Sequence, residues 1–205
     1  MTPAPRDPTQ TEASSVVGGR AEPRLDLERV RAREPEALGA FYDHYFDRVY
    51  GLAFRLLGER AAAEDAAQDL FLKVHRAADR IDPSRDPEPW LLTITTNVCR
   101  DLWRSGAYRL SRRSASIEDD PVVGATLAST GRSPEGDLLA AERERLVQET
   151  ILALPESLRE AVVLREYQGL GYGEMARMLG INEAAARKRY SRGLAELGKA
   201  LKGVI

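Results

Sequence analysis

Residues 171–201 have the sequence GYGEMARMLGINEAAARKRYSRGLAELGKAL, the most informative segment of the chain for its fold class. Its pattern predicts a short helix, a tight turn at Gly180 and a second helix that begins after Asn182, a residue favoured at helix N-caps. Small and apolar residues recur along the second helix at helical spacing and predict one inward face: Ala186, Tyr190, Gly193, Leu197 and Leu201. The two helices together predict a helix-turn-helix.

The other side of this second helix is cationic. Its polar residues are expected to face outward, with one of them at the margin: Arg187, Lys188, Arg189, Ser191 and Arg192. Side chains of these types donate hydrogen bonds to phosphates and to base edges, so the stretch predicts contact with DNA. A helical hairpin whose basic residues are merely solvated is the alternative.

Composition limits how such a contact is made. The formal net charge is -2 and the pI is about 5.9, which argues against a protein that coats nucleic acid by bulk charge. Acidic surface elsewhere must balance the basic helix, and an acidic patch on a DNA-binding protein favours a basic protein partner.

Metal, disulfide and membrane functions find no support in the sequence. There is one cysteine, Cys99, and it lies far from His44 and His75, so neither a disulfide framework nor metal-ligand spacing is present. No segment has the length and hydropathy of a signal peptide or a membrane span. We expect a cytoplasmic protein without cofactor, bound metal or membrane insertion.

The pattern along the chain predicts an all-α protein with two small helical domains. Residues 1–23 are rich in Pro, Thr, Ser and Gly, contain few large apolar side chains and predict a disordered tail. Helical periodicity then predicts a first domain over 24–107 and, after a Ser-, Gly- and Arg-rich flexible linker over 108–132, a second domain over 133–205. Within the first domain we predict helices over about 60–80 and 88–105, separated by a proline-rich loop.

The helix predicted over 88–105 carries a polar, partly cationic face opposite its apolar stripe. The candidate residues follow one another at helical steps: Trp90, Thr93, Asn97, Arg100 and Arg104. An indole stacks on an unpaired base and an amide contacts a base edge, so this face suits nucleic acid. A Trp90 that covers a core beside a solvated Asn97 explains the pattern equally well.

The helix predicted over 60–80 exposes a leucine among acidic and polar side chains: Asp65, Gln68, Asp69 and Leu72. This combination indicates a protein interface, although a solvated face with one surface leucine is the simpler alternative. A metal-dependent nuclease is disfavoured, because its carboxylates converge in a cleft from different elements, whereas these lie along one helix.

The order of these segments resembles bacterial RNA polymerase sigma factors of the extracytoplasmic-function (ECF) type. AAAEDAAQDLFLKVHRA at 61–77 and WLLTITTNVCRDLWR at 90–104 resemble the two halves of the family's second conserved region. LPESLREAVVLREYQGLGYGEMARMLGI at 154–181, with the helix after it, resembles the fourth. The resemblance covers roughly residues 27–202.

The resemblance implies a transcription initiation factor that is not an enzyme. Asp65, Gln68, Asp69 and Leu72 would dock on the clamp helices of the polymerase's largest subunit. Trp90, Thr93, Asn97, Arg100 and Arg104 would bear on the promoter's minus-ten element, and the loop at 81–89 would capture a flipped base. Arg187, Lys188, Arg189, Ser191 and Arg192 would contact the minus-thirty-five element. It further implies an anti-sigma partner, and neither a small-molecule substrate nor nucleotide hydrolysis.

Three positions depart from the family pattern. His75 stands where tryptophan is frequent, and Ala184, Ala185 and Ala186 replace a Gly-Thr-Val start of the recognition helix. Thr95 and Thr96 stand where Ala-Arg is common, which predicts one positive charge fewer on the minus-ten face.

Two other functions remain open. A conventional helix-turn-helix regulator binds a symmetric operator as a dimer and needs no polymerase. A helical adaptor that binds only proteins shows no salt-dependent affinity for DNA.

Overall fold

The computed structural model describes residues 25–105, Tyr108 and 134–202, with side chains from 140 onward in the second stretch. The described helices are, in chain order, α1 (Leu27–Arg31), α2 (Pro35–Leu57), α3 (Arg60–Arg76), α4 (Glu88–Arg104), α5 (Pro134–Ala153), α6 (Glu156–Glu166), α7 (Tyr172–Leu179) and α8 (Glu183–Leu201). A 3-10 turn, Ala78–Arg80, follows α3. The predicted tail and most of the predicted linker lie outside the described residues.

Local sequence signals set several helix ends. Pro35 occupies the first turn of α2, where its missing N–H costs nothing, and Gly58 ends that helix in the left-handed region at φ 78°. Gly180 makes the turn after α7 at φ 66°. The Asn182 side chain accepts a hydrogen bond from the Ala185 N–H at 2.8 Å and so caps α8. These signals confirm the predicted helix-turn-helix.

The end of α3 differs from the prediction, because the α-helix stops at Arg76 rather than at residue 80. The Arg33 guanidinium donates to the carbonyls of His75, at 3.0 Å, and Arg76, at 3.1 Å. It also forms an ion pair with Asp79. A side chain from the α1–α2 connection thus satisfies the last carbonyls of α3, and helical periodicity alone contains no sign of this contact.

Helices α1 to α4 enclose a core at the end of α2 nearer the N-terminus. Its buried members come from all four helices and include Val30, Phe41, Val49, Leu70, Val74 and Leu91. Burying side chains of this size stabilises the fold by about 1.5–3 kcal/mol each. Trp90 packs partly against this core.

A second core joins the two groups of helices. It contains Leu52, Leu56, Cys99 and Trp103 from the first group and, from the second, Ile151, Ala161, Leu164 and Met175. Helix α2 packs against both α5 and α6. The sequence prediction of two helical domains did not include this direct packing.

Polar contacts cross the same boundary. The buried Arg159 guanidinium of α6 donates to the Leu56 carbonyl at 2.7 Å and to the Leu152 carbonyl at 2.6 Å. Arg55 of α2 lies 3.7 Å from the centre of the Tyr167 ring and pairs with Glu144 of α5 at 3.2 Å. The Tyr108 hydroxyl donates to the Leu57 carbonyl at 2.5 Å. Charged and polar groups therefore fix the second group of helices on the end of α2.

Every regular element in the described residues is helical, which confirms the all-α prediction. None of the described helices has the length and apolar character needed to cross a bilayer.

Candidate protein and nucleic-acid interfaces

The outward face of α8 is exposed and cationic. Arg187, Lys188, Ser191 and Arg192 are exposed, whereas Arg189 is half-buried. On the opposite side, Ala186 and Gly193 are buried, because this face packs on α6 and α7. The face is thus presented by a helix that is anchored along its other side.

Pairing differs among these basic residues. Arg187 forms an ion pair with Glu183 at 3.2 Å, and its guanidinium lies 4.9 Å from the centre of the Tyr172 ring. Lys188 and Arg192 form no ion pair with any residue that the structure describes. The charged groups of Lys188 and Arg192 can therefore bind an anionic ligand without breaking an ion pair among the described residues.

The predicted polar face of α4 is only partly open. Asn97 and Arg104 are exposed, whereas Trp90, Thr93 and Arg100 are half-buried. The Thr93 hydroxyl donates to the Pro89 carbonyl at 2.8 Å, one turn earlier in the same helix. The structure brings these side chains along one helix side, as expected, but does not leave all of them free.

The expectation for Thr95 and Thr96 was wrong. Both are fully buried, and their hydroxyls donate to the carbonyls of Leu91 and Leu92 at 2.9 and 2.8 Å. An arginine at either position would not lie on the exposed side of α4. The error arose because α4 packs on two sides, against α2 and α3 and against the second group of helices, so its buried stripe is wider than the periodicity indicated.

Arg100 is engaged by the second group of helices. Its Nη2 donates to Oε2 of Glu160 at 2.9 Å, and its Nε donates to the other oxygen of the same carboxylate. The remaining nitrogen, Nη1, donates to the Asn97 side-chain oxygen at 3.3 Å. The hydrogen bonds to Glu160 raise the pKa of Arg100 above its usual value, so the guanidinium is charged throughout the accessible pH range.

The acidic face of α3 is open. Asp65, Gln68 and Asp69 are exposed, and Leu72 is 54% exposed. Neither aspartate forms an ion pair within the described part of the chain. The carboxylates are therefore free to meet cations supplied from outside.

An apolar groove of about 460 Å³ lies next to this face, between α2 and α3. Its lining includes Leu38, Tyr42, Gln68, Phe71 and Leu72, and the Tyr42 and Phe71 rings lie 4.6 Å apart. An apolar recess beside unpaired carboxylates is suited to an amphipathic helix that carries basic residues.

Cys99 is fully buried, and burial, with a smaller effect from Glu160, raises the pKa of its thiol far above the usual value. In the described residues no three His, Cys, Asp or Glu side chains lie close enough to hold a metal ion.

Two features of these surfaces were missed from the sequence. The groove depends on Tyr42 and Leu38 of α2, and nothing in the sequence marked these two residues as part of a surface groove. Glu160 follows the equally buried Arg159 and precedes the apolar run 161–164, so two adjacent charges beside an apolar run were the signal available. That signal names no partner, because Arg100 lies sixty residues away.

Comparisons with known proteins match both groups of helices. The family description "Sigma-70 region 2" fits residues 41–109, and "Sigma-70, region 4" fits residues 144–197. The ECF RNA polymerase sigma factor SigW of Bacillus subtilis is 30% identical over 86% of this chain and 95% of its own length. BldN of Streptomyces coelicolor, also an ECF sigma factor, is 32% identical over 85% of this chain, which spans 64% of that protein.

The fold has a counterpart among solved structures. The sigma factor RpoE of Bartonella quintana, in complex with the anti-sigma factor NepR, superimposes with a TM-score of 0.58 at 21% identity, over 79% of this chain and 96% of that one. The sequence matches and the two regions they cover lead to one conclusion: this chain belongs to the ECF RNA polymerase sigma factors of the sigma-70 family.

Proposed function

We propose that this chain binds core RNA polymerase, directs it to specific promoters and helps to melt the minus-ten element. The observation that carries the proposal is that one chain presents an open acidic and apolar face on α3 together with an anchored, cationic recognition helix, α8. The first surface suits a protein partner with basic and apolar side chains, and the second suits an anionic partner such as DNA.

The docking surface for polymerase comprises Asp65, Gln68, Asp69 and Leu72 with the adjoining groove. Burying Leu72 and filling the groove supply apolar contact, while the two aspartates select a basic partner. A helix of the polymerase's largest subunit, within its clamp, fits this chemistry: apolar side chains enter the groove and basic ones meet the carboxylates.

Helix α4 acts on the minus-ten element. Flipping a base out of the duplex costs roughly a few kcal/mol. That cost is offset only when the DNA is single-stranded, by stacking on Trp90 and by polar contacts from Thr93, Asn97, Arg100 and Arg104. Binding therefore drives melting, because α4 has a higher affinity for the open form of the DNA than for the duplex. Nucleotide hydrolysis is unnecessary, and no catalytic step, cofactor or small-molecule substrate belongs to the chain itself.

Helix α8 binds the minus-thirty-five element as duplex DNA through Arg187, Lys188, Arg189, Ser191 and Arg192. Phosphate contacts fix its register and base-edge contacts select the sequence. Because Lys188 and Arg192 form no ion pair within the described residues, we assign them the largest share of the affinity.

The chain works in the cytoplasm, where polymerase and chromosome are found, and an anti-sigma protein is its expected regulator. The complex of RpoE with the anti-sigma factor NepR supports this last assignment by analogy.

Charge reversal on α3 tests the docking surface. We expect Asp65→Arg or Asp69→Arg to lower the affinity for purified core polymerase at least about tenfold, because like charges replace attraction in a partly desolvated contact. The measurement is a binding titration with fluorescently labelled chain. Glu142→Arg, which makes the same charge change on exposed α5, serves as the control and should bind as the unchanged chain does.

Unchanged core affinity in both α3 variants would contradict this choice of surface. A dimeric operator-binding regulator predicts a different set of results: tight binding of the isolated chain to a symmetric duplex, with no response to core polymerase. A purely protein-binding adaptor predicts binding to core without promoter-specific transcription.

A further inference from the structure

We propose that the isolated chain is held in a closed, promoter-inactive form by the Arg100–Glu160 ion pair, which joins the minus-ten face of α4 to α6. The inference rests on the proposed function, since it regulates the surface assigned there to minus-ten DNA. It adds a device that the function itself does not require: an internal carboxylate that occupies a DNA-binding arginine.

All three guanidinium nitrogens of the arginine are engaged within the folded chain. Two of the three guanidinium nitrogens of Arg100 bond to Glu160, and the third bonds to the side-chain oxygen of Asn97. The same hydrogen bond uses one of the two acceptor positions of the amide oxygen that Asn97 would offer to a base. The two polar residues at the centre of the proposed minus-ten face therefore satisfy each other and α6 instead of DNA.

Burial makes this pairing resistant to simple exchange. The Glu160 side chain is 4% exposed and that of Arg100 is 21% exposed. If Arg100 turned to a phosphate or a base while the helices stayed packed, the Glu160 carboxylate would remain buried without its counter-ion, which is strongly unfavourable. Arg100 is released only when α6 moves away and water reaches Glu160, so the pair couples DNA binding to separation of the two groups of helices.

The rest of the boundary supports the closed form. Arg159 bonds across it to the Leu56 carbonyl, and Arg55 contacts both Tyr167 and Glu144. The shared core lies beneath these contacts. Opening therefore breaks several interactions at once, and a variant that removes one of them shifts the balance between two discrete arrangements.

The closed form leaves the proposed polymerase surface accessible. Asp65, Asp69 and Leu72 are exposed in the same structure in which Arg100 is occupied. Core polymerase thus has access to α3 before α4 is free for single-stranded DNA, and this order limits promoter melting to the assembled enzyme.

A distance measurement tests the closed form. Spin labels are attached at Asp43→Cys in α2 and Ala195→Cys in α8, both exposed positions, in a full-length chain that also carries Cys99→Ala to remove the native thiol. The chain without further change should give one narrow distance distribution, because the helices are held together. Glu160→Arg places two cations face to face, and we expect a broad distribution at longer distances. The exchanged pair Arg100→Glu with Glu160→Arg should restore the narrow distribution, which a merely misfolded variant would not do.

A binding measurement tests the consequence. We expect Glu160→Arg to raise the affinity of the isolated chain for short single-stranded DNA of random sequence at least about tenfold. The apparent affinity is the intrinsic affinity of the open form multiplied by the fraction of molecules that are open, and the substitution increases that fraction. Glu156→Arg makes the same charge change on an exposed site one turn earlier in α6 and controls for added positive charge. Glu156→Arg should leave the distance distribution unchanged, and its affinity for the single-stranded DNA should stay below that of Glu160→Arg.

The results separate this inference from the proposed function. The closed form is overturned if the unchanged chain and Glu160→Arg give equal distance distributions, or if Glu160→Arg and Glu156→Arg bind the DNA with equal affinity. Either result does so even if core polymerase initiates transcription with the chain. Absence of transcription with core polymerase overturns the proposed function and, with it, the regulatory role of the pair, whatever the distances are.

Discussion

The Arg159 side chain is buried among apolar residues where the two groups of helices meet, and both of its Nη atoms donate hydrogen bonds to backbone carbonyls. Its Nη1 bonds to the Leu56 carbonyl, and its Nη2 bonds to the carbonyls of Leu152, at 2.6 Å, and Leu154, at 3.1 Å. These carbonyls belong to the ends of α2 and α5, where helices leave acceptors without an internal partner. One planar guanidinium thus completes two helix ends and joins the two groups of helices.

Replacement of Arg159 by methionine tests this role. Methionine fills similar volume but leaves buried carbonyls without a donor, so we expect the free energy of unfolding to fall by about 3 kcal/mol. Urea denaturation followed by circular dichroism measures the change. Arg145→Met, in the exposed pair with Glu149 on α5, is the control and should cost less than about 1 kcal/mol. A loss at Arg159 no larger than at Arg145 would contradict the assigned role.

The exposure of single residues was predicted correctly where their own helix determines the environment. It was predicted incorrectly where a second layer of helices also packs against them. The exposure of Arg187, Lys188, Ser191 and Arg192 follows from the period of α8 alone. The burial of Thr95 and Thr96 depends on a second layer of helices over α4, and no residue within that helix indicates it.

The contact between α6 and α8 sets the position of the recognition helix. Gly193 of α8 is buried there, and a Cβ at this position would lie 2.5 Å from Val162 Cγ2 and 3.3 Å from the Leu158 carbonyl oxygen. The close approach therefore requires the absence of a side chain, because neither a valine methyl at this depth nor helix backbone moves easily.

Gly193→Ala and Gly198→Ala form a matched pair in α8. We expect the first to lower the free energy of unfolding by about 1–3 kcal/mol through overpacking. A Cβ at Gly198 meets nothing within 4 Å, so the second should raise stability by about 0.5–1 kcal/mol through helix propensity. Thermal unfolding of the two variants gives the comparison, and equal stabilities would argue against the close packing of α6 and α8.

Elements were predicted well where their boundaries are local. Gly180 and Asn182 act within one turn of the helix that each ends or begins, and these two boundaries agree with the prediction. The end of α3 depends on Arg33, more than forty residues earlier in the chain, and its position was missed.

At the scale of the whole molecule, the surfaces assigned to polymerase and to duplex DNA are open while the surface assigned to single-stranded DNA is partly occupied. The all-helical class and two-domain plan followed from periodicity, and the roles of the surfaces followed from the family resemblance. The contact between α4 and α6 followed from neither, because packing across a linker is not encoded in the period of either helix. The Arg100–Glu160 ion pair is the contact by which, in our proposal, the packing of the two groups of helices controls access to the minus-ten face.

Run-off transcription with purified core polymerase tests the central claim, that this chain gives the enzyme promoter specificity. Core polymerase is mixed with the full-length chain and fragments of the parent chromosome, and core polymerase alone is the control. We expect discrete transcripts that start at a limited set of sites only when the chain is present, and that are lost with Asp65→Arg. Transcripts identical with and without the chain, on every chromosomal fragment, would contradict the account.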